Sequence, residues 1–376
     1  MNQIAPTSTS ITSSSEDVVM KEEKSKEPFE KIIKYLSSHT VYEAIPENMK
    51  ILVFNSELPI NECITAMANE DIYCSFIWDS SSARYTGLMT IRDVLGLVKY
   101  INDKIRTHKG AINNINSFVK EIFCDNNNND AMDIDDSHSG NNITIDYADL
   151  IKSLNNITIS DYLQNVKTNN NIISISLDGS LYDCIKLIGK HKIHRLIIED
   201  PKTKNFTGFI TYETIFQFIM ENYILERAEL AMKLKDIYKS MISDRLVKFE
   251  KDELVYSIFE KALLTKISIM PIYDKQNLFG FLYLKDIVYF FTNYNMFSFN
   301  DTVEKFLTAL YAGVDEERPL GLSRVCLIDI EKEDIDMKAL MEMMAVSPER
   351  KIIVKKDTDI SIITLSSIFK TIIDYK

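Results

Sequence analysis

The chain has 376 residues, 45% apolar and 26% charged, an ordinary balance for a globular protein long enough for two or three domains or several small repeats. Its formal net charge of -12 argues against a general nucleic-acid or anionic-membrane binder, since both need a basic surface, but leaves room for a local basic pocket. The five cysteines, Cys63, Cys74, Cys124, Cys184 and Cys326, are scattered without a CxxC pair, which fits buried thiols better than a disulfide framework or a zinc site.

In chain order, residues 1–27 read as a disordered Ser/Thr/Glu/Lys tail with no apolar core, so no signal peptide is expected there. Residues 28–105 form a first structured unit. Residues 106–157 read as a linker holding the acidic, Asn-rich insertion "CDNNNNDAMDIDDSHSGNN" at 124–142. Three further units follow at 158–225, 226–297 and 298–376. No apolar run is long enough to span a bilayer.

The units repeat one another. Each has a one-sided helix with apolar residues at i, i+3, i+4, i+7, the spacing that lines one helical face. These are Ile60, Cys63, Ile64, Met67; Leu181, Cys184, Ile185, Ile188; Val255, Ile258, Phe259, Ala262; and Met337, Leu340, Met341, Met344. A strand-like run precedes each helix, two more follow, and a second amphipathic helix closes the unit. From helix start to the end of the third run, the units extend 60 to 90, 181 to 211, 255 to 283 and 337 to 364. This register predicts four β-α-β-β-α units in an α/β chain, each too small to stand alone and therefore paired.

The pattern resembles the cystathionine-β-synthase (CBS) domain. The segments "SSHTVYEAIPENMKILVFNSELPI", "YTGLMTIRDVL", "DGSLYDCIKLIGKHKIHRLIIEDP", "ISIMPIYDK" and "YNMFSFNDTVEKFL" are similar to gamma subunits of AMP-activated protein kinase. The resemblance implies two Bateman modules forming a disc. It further implies AMP, ADP and ATP as ligands, no cofactor, and catalytic alpha and scaffolding beta kinase subunits as partners, with no nucleic acid and no membrane insertion. A cytoplasmic location is expected, with the nucleus as a second compartment.

In that family a Ser/Thr-x-x-Asp sequence opens the second helix, and its carboxylate accepts bonds from ribose hydroxyls. Here Thr90 and Asp93 match in unit 1. Thr211 matches in unit 2, but Thr214 stands at the Asp position. In unit 3 Asp286 matches behind Tyr283, and in unit 4 Thr364 matches but Ser367 replaces the carboxylate. Thr-x-x-Asp is equally a helix capping box, so both readings stand at this point.

The resemblance makes His194 and Arg195 phosphate contacts, with Lys266 of Thr265-Lys266 and Arg350 of Glu349-Arg350 as their counterparts in units 3 and 4. Tyr73, Tyr212, Glu213 and Glu349 stand where relatives carry cations or histidine. Lost cations weaken multiply charged ligands most, so fewer or weaker nucleotide sites are expected than in a typical gamma subunit. The His191/His194 pair has no third ligand spaced to hold a metal. No GxxxxGK[ST], GxSxG, HExxH or GxGxxG motif is present, which agrees with a non-catalytic binding protein. The leading expectation is a regulatory kinase subunit. The alternatives are a scaffold paralogue with little sensing, or a CBS regulator of another enzyme or transporter.

Overall fold

The computed structural model describes residues 29–108, 112, 114–124, 147–166, 172–223, 230–242, 247–293, 295–298, 300–313, 319–356 and 359–374. The expected tail at 1–27, and all but the first residue of the 124–142 insertion, lie outside the described residues.

Among the described residues, twelve strands, β1 to β12, form four three-stranded sheets. Unit 1 runs β1 (Leu52–Asn55), helix Ile60–Glu70, β2 (Cys74–Asp79), β3 (Arg84–Thr90), helix Ile91–Thr107. Unit 2 runs β4 (Ser174–Ile175), helix Leu181–His191, β5 (Leu196–Glu199), β6 (Phe206–Ile210), helix Tyr212–Asn222. Unit 3 runs β7 (Phe249–Glu250), helix Val255–Thr265, β8 (Ile269–Asp274), β9 (Asn277–Tyr283), helix Asp286–Thr292. Unit 4 runs β10 (Cys326–Asp329), helix Met337–Val346, β11 (Lys351–Lys356), β12 (Asp359–Thr364), helix Leu365–Asp374. In every unit the first strand is parallel to the second, and the second antiparallel to the third. A helical crossover is what joins parallel strands, and a short turn suffices for the antiparallel pair.

The apolar face anticipated for each first helix is the buried one. Ile60, Cys63, Leu181, Cys184, Val255, Ile258, Phe259, Ala262, Met337, Leu340 and Met344 are all 0% exposed. The helices stop in the same way too. Asp71, Lys192 and Lys266 each take a left-handed conformation just past the first helix of units 1, 2 and 3, and turn the chain into the second strand.

The units close a ring through two kinds of contact. Sheet faces join unit 1 to unit 2 and unit 3 to unit 4. Phe76 of β2 lies 5.5 Å from Phe206 and 5.9 Å from Phe209, ring centre to ring centre. Ile269, Phe281 and Tyr283 of unit 3 form one buried cluster with Val325, Ile353 and Ile362 of unit 4. Helices make the other contacts. One core combines the helices of units 1 and 3, and a second combines those of units 2 and 4.

Short helices leading into each unit are exchanged within the pairs. Thr40 and Thr158, at the starts of the helices leading into units 1 and 2, bridge to Ser180 and Pro59, which precede the first helices of units 2 and 1. Lys233 and Thr302 do the same with Asp336 and Leu254 in units 3 and 4. The pairing expected on grounds of size is thus written into reciprocal backbone clasps. Among the described residues no helix is long and apolar enough to cross a membrane.

Candidate functional site

The candidate residues sit where strands hand over to helices, at the meeting point of the units. Thr90 caps the Ile91–Thr107 helix. Its backbone N–H and its hydroxyl both donate to Asp93 Oδ2, at 2.8 and 2.5 Å. The Asp93 amide donates back to Thr90 Oγ1 at 3.4 Å. The capping reading of this motif is therefore realised. Thr158 and Asp161, at the start of the helix leading into unit 2, show the same bonds at 2.8 and 2.7 Å. Cap geometry alone does not single out a ligand residue. Asp93 differs in its second oxygen, Oδ1, which accepts a 3.0 Å bond from the hydroxyl of buried Tyr162.

Units 2 and 4 keep the cap and lose the charge. The Thr214 amide donates to Thr211 Oγ1 at 3.1 Å, and the two hydroxyls are 3.1 Å apart. The Thr364 amide donates to Ser367 Oγ at 3.0 Å, and the Ser367 amide donates to Thr364 Oγ1 at 3.3 Å.

In unit 3, Asp286 is 6% exposed. Its Oδ2 accepts the Tyr283 amide at 2.8 Å and its Oδ1 accepts Arg324 Nη1 at 2.6 Å. Burial pushes its carboxyl up, and Arg324 and the Tyr283 amide offset part of that rise. Tyr283, unexpected at a cap position, is 1% exposed, and its hydroxyl donates to Gly321 O at 2.9 Å. The Arg324 guanidinium stacks 3.8 Å from the centre of the Tyr283 ring, a cation–π arrangement that favours arginine. Arg324 was not among the expected residues. It lies outside the repeat motif, in the turn ahead of β10.

His194 is exposed, yet protein groups crowd its imidazole closely enough to desolvate it. Desolvation first, then Arg92, Arg195 and Lys351, push its imidazole down to about 4. Arg92 reaches from unit 1 to unit 3, with Nη2 donating to Lys266 O at 3.2 Å and Ile267 O at 3.0 Å. Its Nη1 is buried with no hydrogen-bond partner, as is Arg195 Nε. The Arg195 guanidinium lies 5.8 Å from the Phe209 ring centre. Cations from units 1, 2 and 4 therefore surround one histidine, and two buried N–H donors there lack an acceptor.

Strand register changes two of the expected matches. β5 begins at Leu196, opposite Ile210, so Arg195 lies one step further on, level with Thr211. In unit 3 the residue opposite Tyr283 is Ile269, so Lys266 corresponds to the helix-ending Lys192 rather than to Arg195. Lys266 is exposed and contributes its carbonyl to Arg92. In unit 4 the residue opposite Thr364 is Lys351, which takes the Arg195 position. Arg350 takes a left-handed conformation (φ 49°) and donates from Nη1 to Met344 O at 3.3 Å, tying off the helix before it. In all four units the residue level with the cap position stands 14 places beyond the start of the first helix, at Cys74, Arg195, Ile269 and Lys351, a constant spacing that points away from Lys266 and Arg350.

The remaining charged residues meet on Glu349, whose side chain is 9% exposed. Its Oε1 accepts Arg324 Nη2 at 2.6 Å and Nε at 3.0 Å, and Lys285 Nζ lies 2.8 Å away. Lys351 Nζ is 3.5 Å from Oε2. Against the effect of burial, Lys351, Lys285 and Arg324 hold this carboxyl below the usual range. Desolvation lowers Lys351, while Glu349 and Glu213 counter it. One positional signal would have found several of these residues. Two places beyond Thr90, Thr211 and Tyr283 stand Arg92, Glu213 and Lys285, and each faces the charged centre.

A cleft of about 400 Å³ opens beside this network, between Ala68, Asp71 and Tyr73 of unit 1 and Lys285, Asp286, Val288, Tyr289 and Thr292 of unit 3, with Arg324 in its wall. Tyr73 donates to Asp71 there. No group of His, Cys, Asp and Glu able to hold a metal occurs among the described residues.

Comparison with known proteins agrees with the repeated fold. The CBS domain family matches residues 159–221, within unit 2. The gamma subunit of 5'-AMP-activated protein kinase from Dictyostelium discoideum is 22% identical over 196 residues, 51% of this chain and 27% of that subunit. The human gamma-3 subunit is 22% identical over 188 residues, 50% of this chain and 30% of that subunit. The matched stretches thus span less than a third of these relatives' own length. A Methanocaldococcus jannaschii protein described as a candidate archaeal homologue of gamma-AMPK superposes with a TM-score of 0.59 at 11% identity, covering 88% of this chain and 99% of that one, a likeness of fold. Residues 159–221 thus match the CBS domain, the other three units repeat its order of strands and helices, and the sequence is similar to the gamma subunits of AMP-activated protein kinase.

Proposed function

We propose that the chain is a non-catalytic regulatory subunit that binds adenine nucleotides between its paired units and reports them to a protein kinase. The observation that carries this reading is the cluster of Arg92, His194 and Arg195, with two buried guanidinium N–H groups lacking acceptors. Buried polar groups are normally satisfied, so an unpaired pair of donors beside an exposed histidine suits an incoming anion. In this reading Asp93 supplies the ribose acceptor, because its cap with Thr90 holds the carboxylate at the mouth of a helix. Thr211 and Thr364 cap their helices without adding an acceptor charge. Similarity to kinase gamma subunits supports alpha and beta subunits as partners, AMP, ADP and ATP as ligands, and a cytoplasmic or nuclear site of action.

Sensing then follows from linkage: a nucleotide that binds two states of the kinase complex unequally shifts their balance. The test is calorimetric titration of the full chain with AMP, ADP and ATP, together with capture of the chain from native lysate. Saturable binding that is lost in Arg92→Ala or Arg195→Ala supports the reading. Three tight sites would contradict the expectation of fewer sites, and no binding of any nucleotide would overturn the sensing role.

A further inference from the structure

The charged network of units 3 and 4 is closed on itself in a way that the centre around His194 is not. Arg324 lies over the Tyr283 ring and donates from Nη1 to Asp286 at 2.6 Å and to the Tyr311 hydroxyl at 2.9 Å. The other edge of its fork grips Glu349 Oε1 with Nε and Nη2. Lys285 and Lys351 complete the shell of that carboxylate. Three cations from two units thus converge on a single anionic group of the chain. Lys285, with a side chain 35% exposed, also lines the 400 Å³ cleft.

We propose that Glu349 is a built-in anion that occupies the cationic seat formed by Arg324, Lys285 and Lys351, so that an external phosphate enters the adjoining cleft only by displacing it. The inference rests on the proposed reading only in naming phosphate-bearing nucleotides as the ligands whose choice is affected. The physical argument is one of competition. A tethered carboxylate stands at an effective concentration that free anions reach only near the millimolar range or above. It also adds a like charge within a few ångströms of any incoming phosphate, a repulsion that grows with the ligand's charge. Glu349 is therefore a specificity-determining residue: it sets this cleft against multiply charged ligands and leaves nucleotide to the centre around His194. Asp286 takes part from the other side, since its Oδ1 is held by Arg324 rather than presented to a ribose.

The test is the Glu349→Gln variant, which keeps an acceptor oxygen for Arg324 and removes the charge. Wild type and variant are titrated by calorimetry with inorganic phosphate, AMP and ATP, and both are melted to confirm folding. The expected result is a gain in phosphate affinity of about tenfold or more, with ATP gaining more than AMP. Adding Lys285→Ala should abolish the gain. Unchanged affinity for all three ligands overturns the proposal. Should Glu349→Gln not fold, Glu349→Asp, which withdraws the carboxylate by one methylene, is expected to show a smaller gain in the same direction, and no gain overturns the proposal equally. The two readings fail separately. A wild type that binds no nucleotide, with a variant that binds phosphate, removes the sensing role and keeps the built-in anion. A wild type that binds AMP, with a variant that behaves identically, does the reverse.

Discussion

Asp93 and Asp286 occupy the same place in units 1 and 3, yet their surroundings differ. Asp93 is held by its own cap and by a neutral phenol, and stays partly exposed. Asp286 is 6% exposed and ion-paired to Arg324, which in turn is tied to Glu349. One repeat motif has thus been taken in two directions. In unit 1 it remains a partly exposed carboxylate within a helix cap. In unit 3 it has become part of an internal ion network. A shared motif specifies where a carboxylate stands, and its neighbours decide what it is free to do.

The sharpest way to break this comparison is Arg324→Ala. It would leave Asp286 and Glu349 buried without their shared guanidinium, and a loss of about 3–5 kcal/mol in stability is expected by chemical denaturation. A loss below about 1 kcal/mol would mean that the network is not structural.

Next in size is the contrast between two aspartates. Asp93→Asn should lower AMP affinity about tenfold or more, the effect of removing a charged acceptor, with little change in melting. Asp286→Asn should lower the melting temperature and leave AMP affinity unchanged. Equal losses of affinity in both variants would erase the distinction between the two pairs of units.

A third test uses pH. The His194 imidazole is pushed down to about 4 in the folded chain, against about 6.5 for a free histidine. The unfolded chain therefore takes up this proton first, and stability should fall as pH drops from about 6.5 toward 4. A phosphate bound beside Arg92 and Arg195 would raise the His194 pKa. AMP binding should then strengthen between pH 7.5 and 5.5, with proton uptake measurable by calorimetry in buffers of different ionisation enthalpy. The His194→Gln variant should lose both effects, and persistence of proton uptake in that variant would assign it elsewhere.

The smallest effect is expected for Tyr162→Phe, which removes the 3.0 Å bond to Asp93. A cost of about 0.5–1.5 kcal/mol in stability is expected, with AMP affinity retained within about twofold. A large fall in affinity would give the Tyr162 hydroxyl a part in holding Asp93 for ligand.

Much of the fold was legible because it depends on local pattern. The i, i+3, i+4, i+7 apolar residues of all four first helices are buried, and the cap motifs form at their expected positions. The site was legible in part. His194 and Arg195 do meet other cations, and Glu349 does place a negative charge among them. Lys266 and Arg350 do not take the positions expected of them: the residue level with Thr211 and its counterparts stands 14 places beyond each first-helix start, which gives Ile269 and Lys351 instead. Arg324 lies outside the repeat and carried no motif that would mark it.

What the sequence determined by itself is the unit: its helix faces, its strand order and its caps, all set by interactions between residues close in the chain. What only the tertiary structure decided is the centre. Arg92 meets Ile267 across 175 positions, and Arg324 meets Asp286 across 38. Charges acquire partners, and lose or keep their water, only when separate units are brought together, so no spacing along the chain could have told a partly exposed carboxylate from one buried in an ion network.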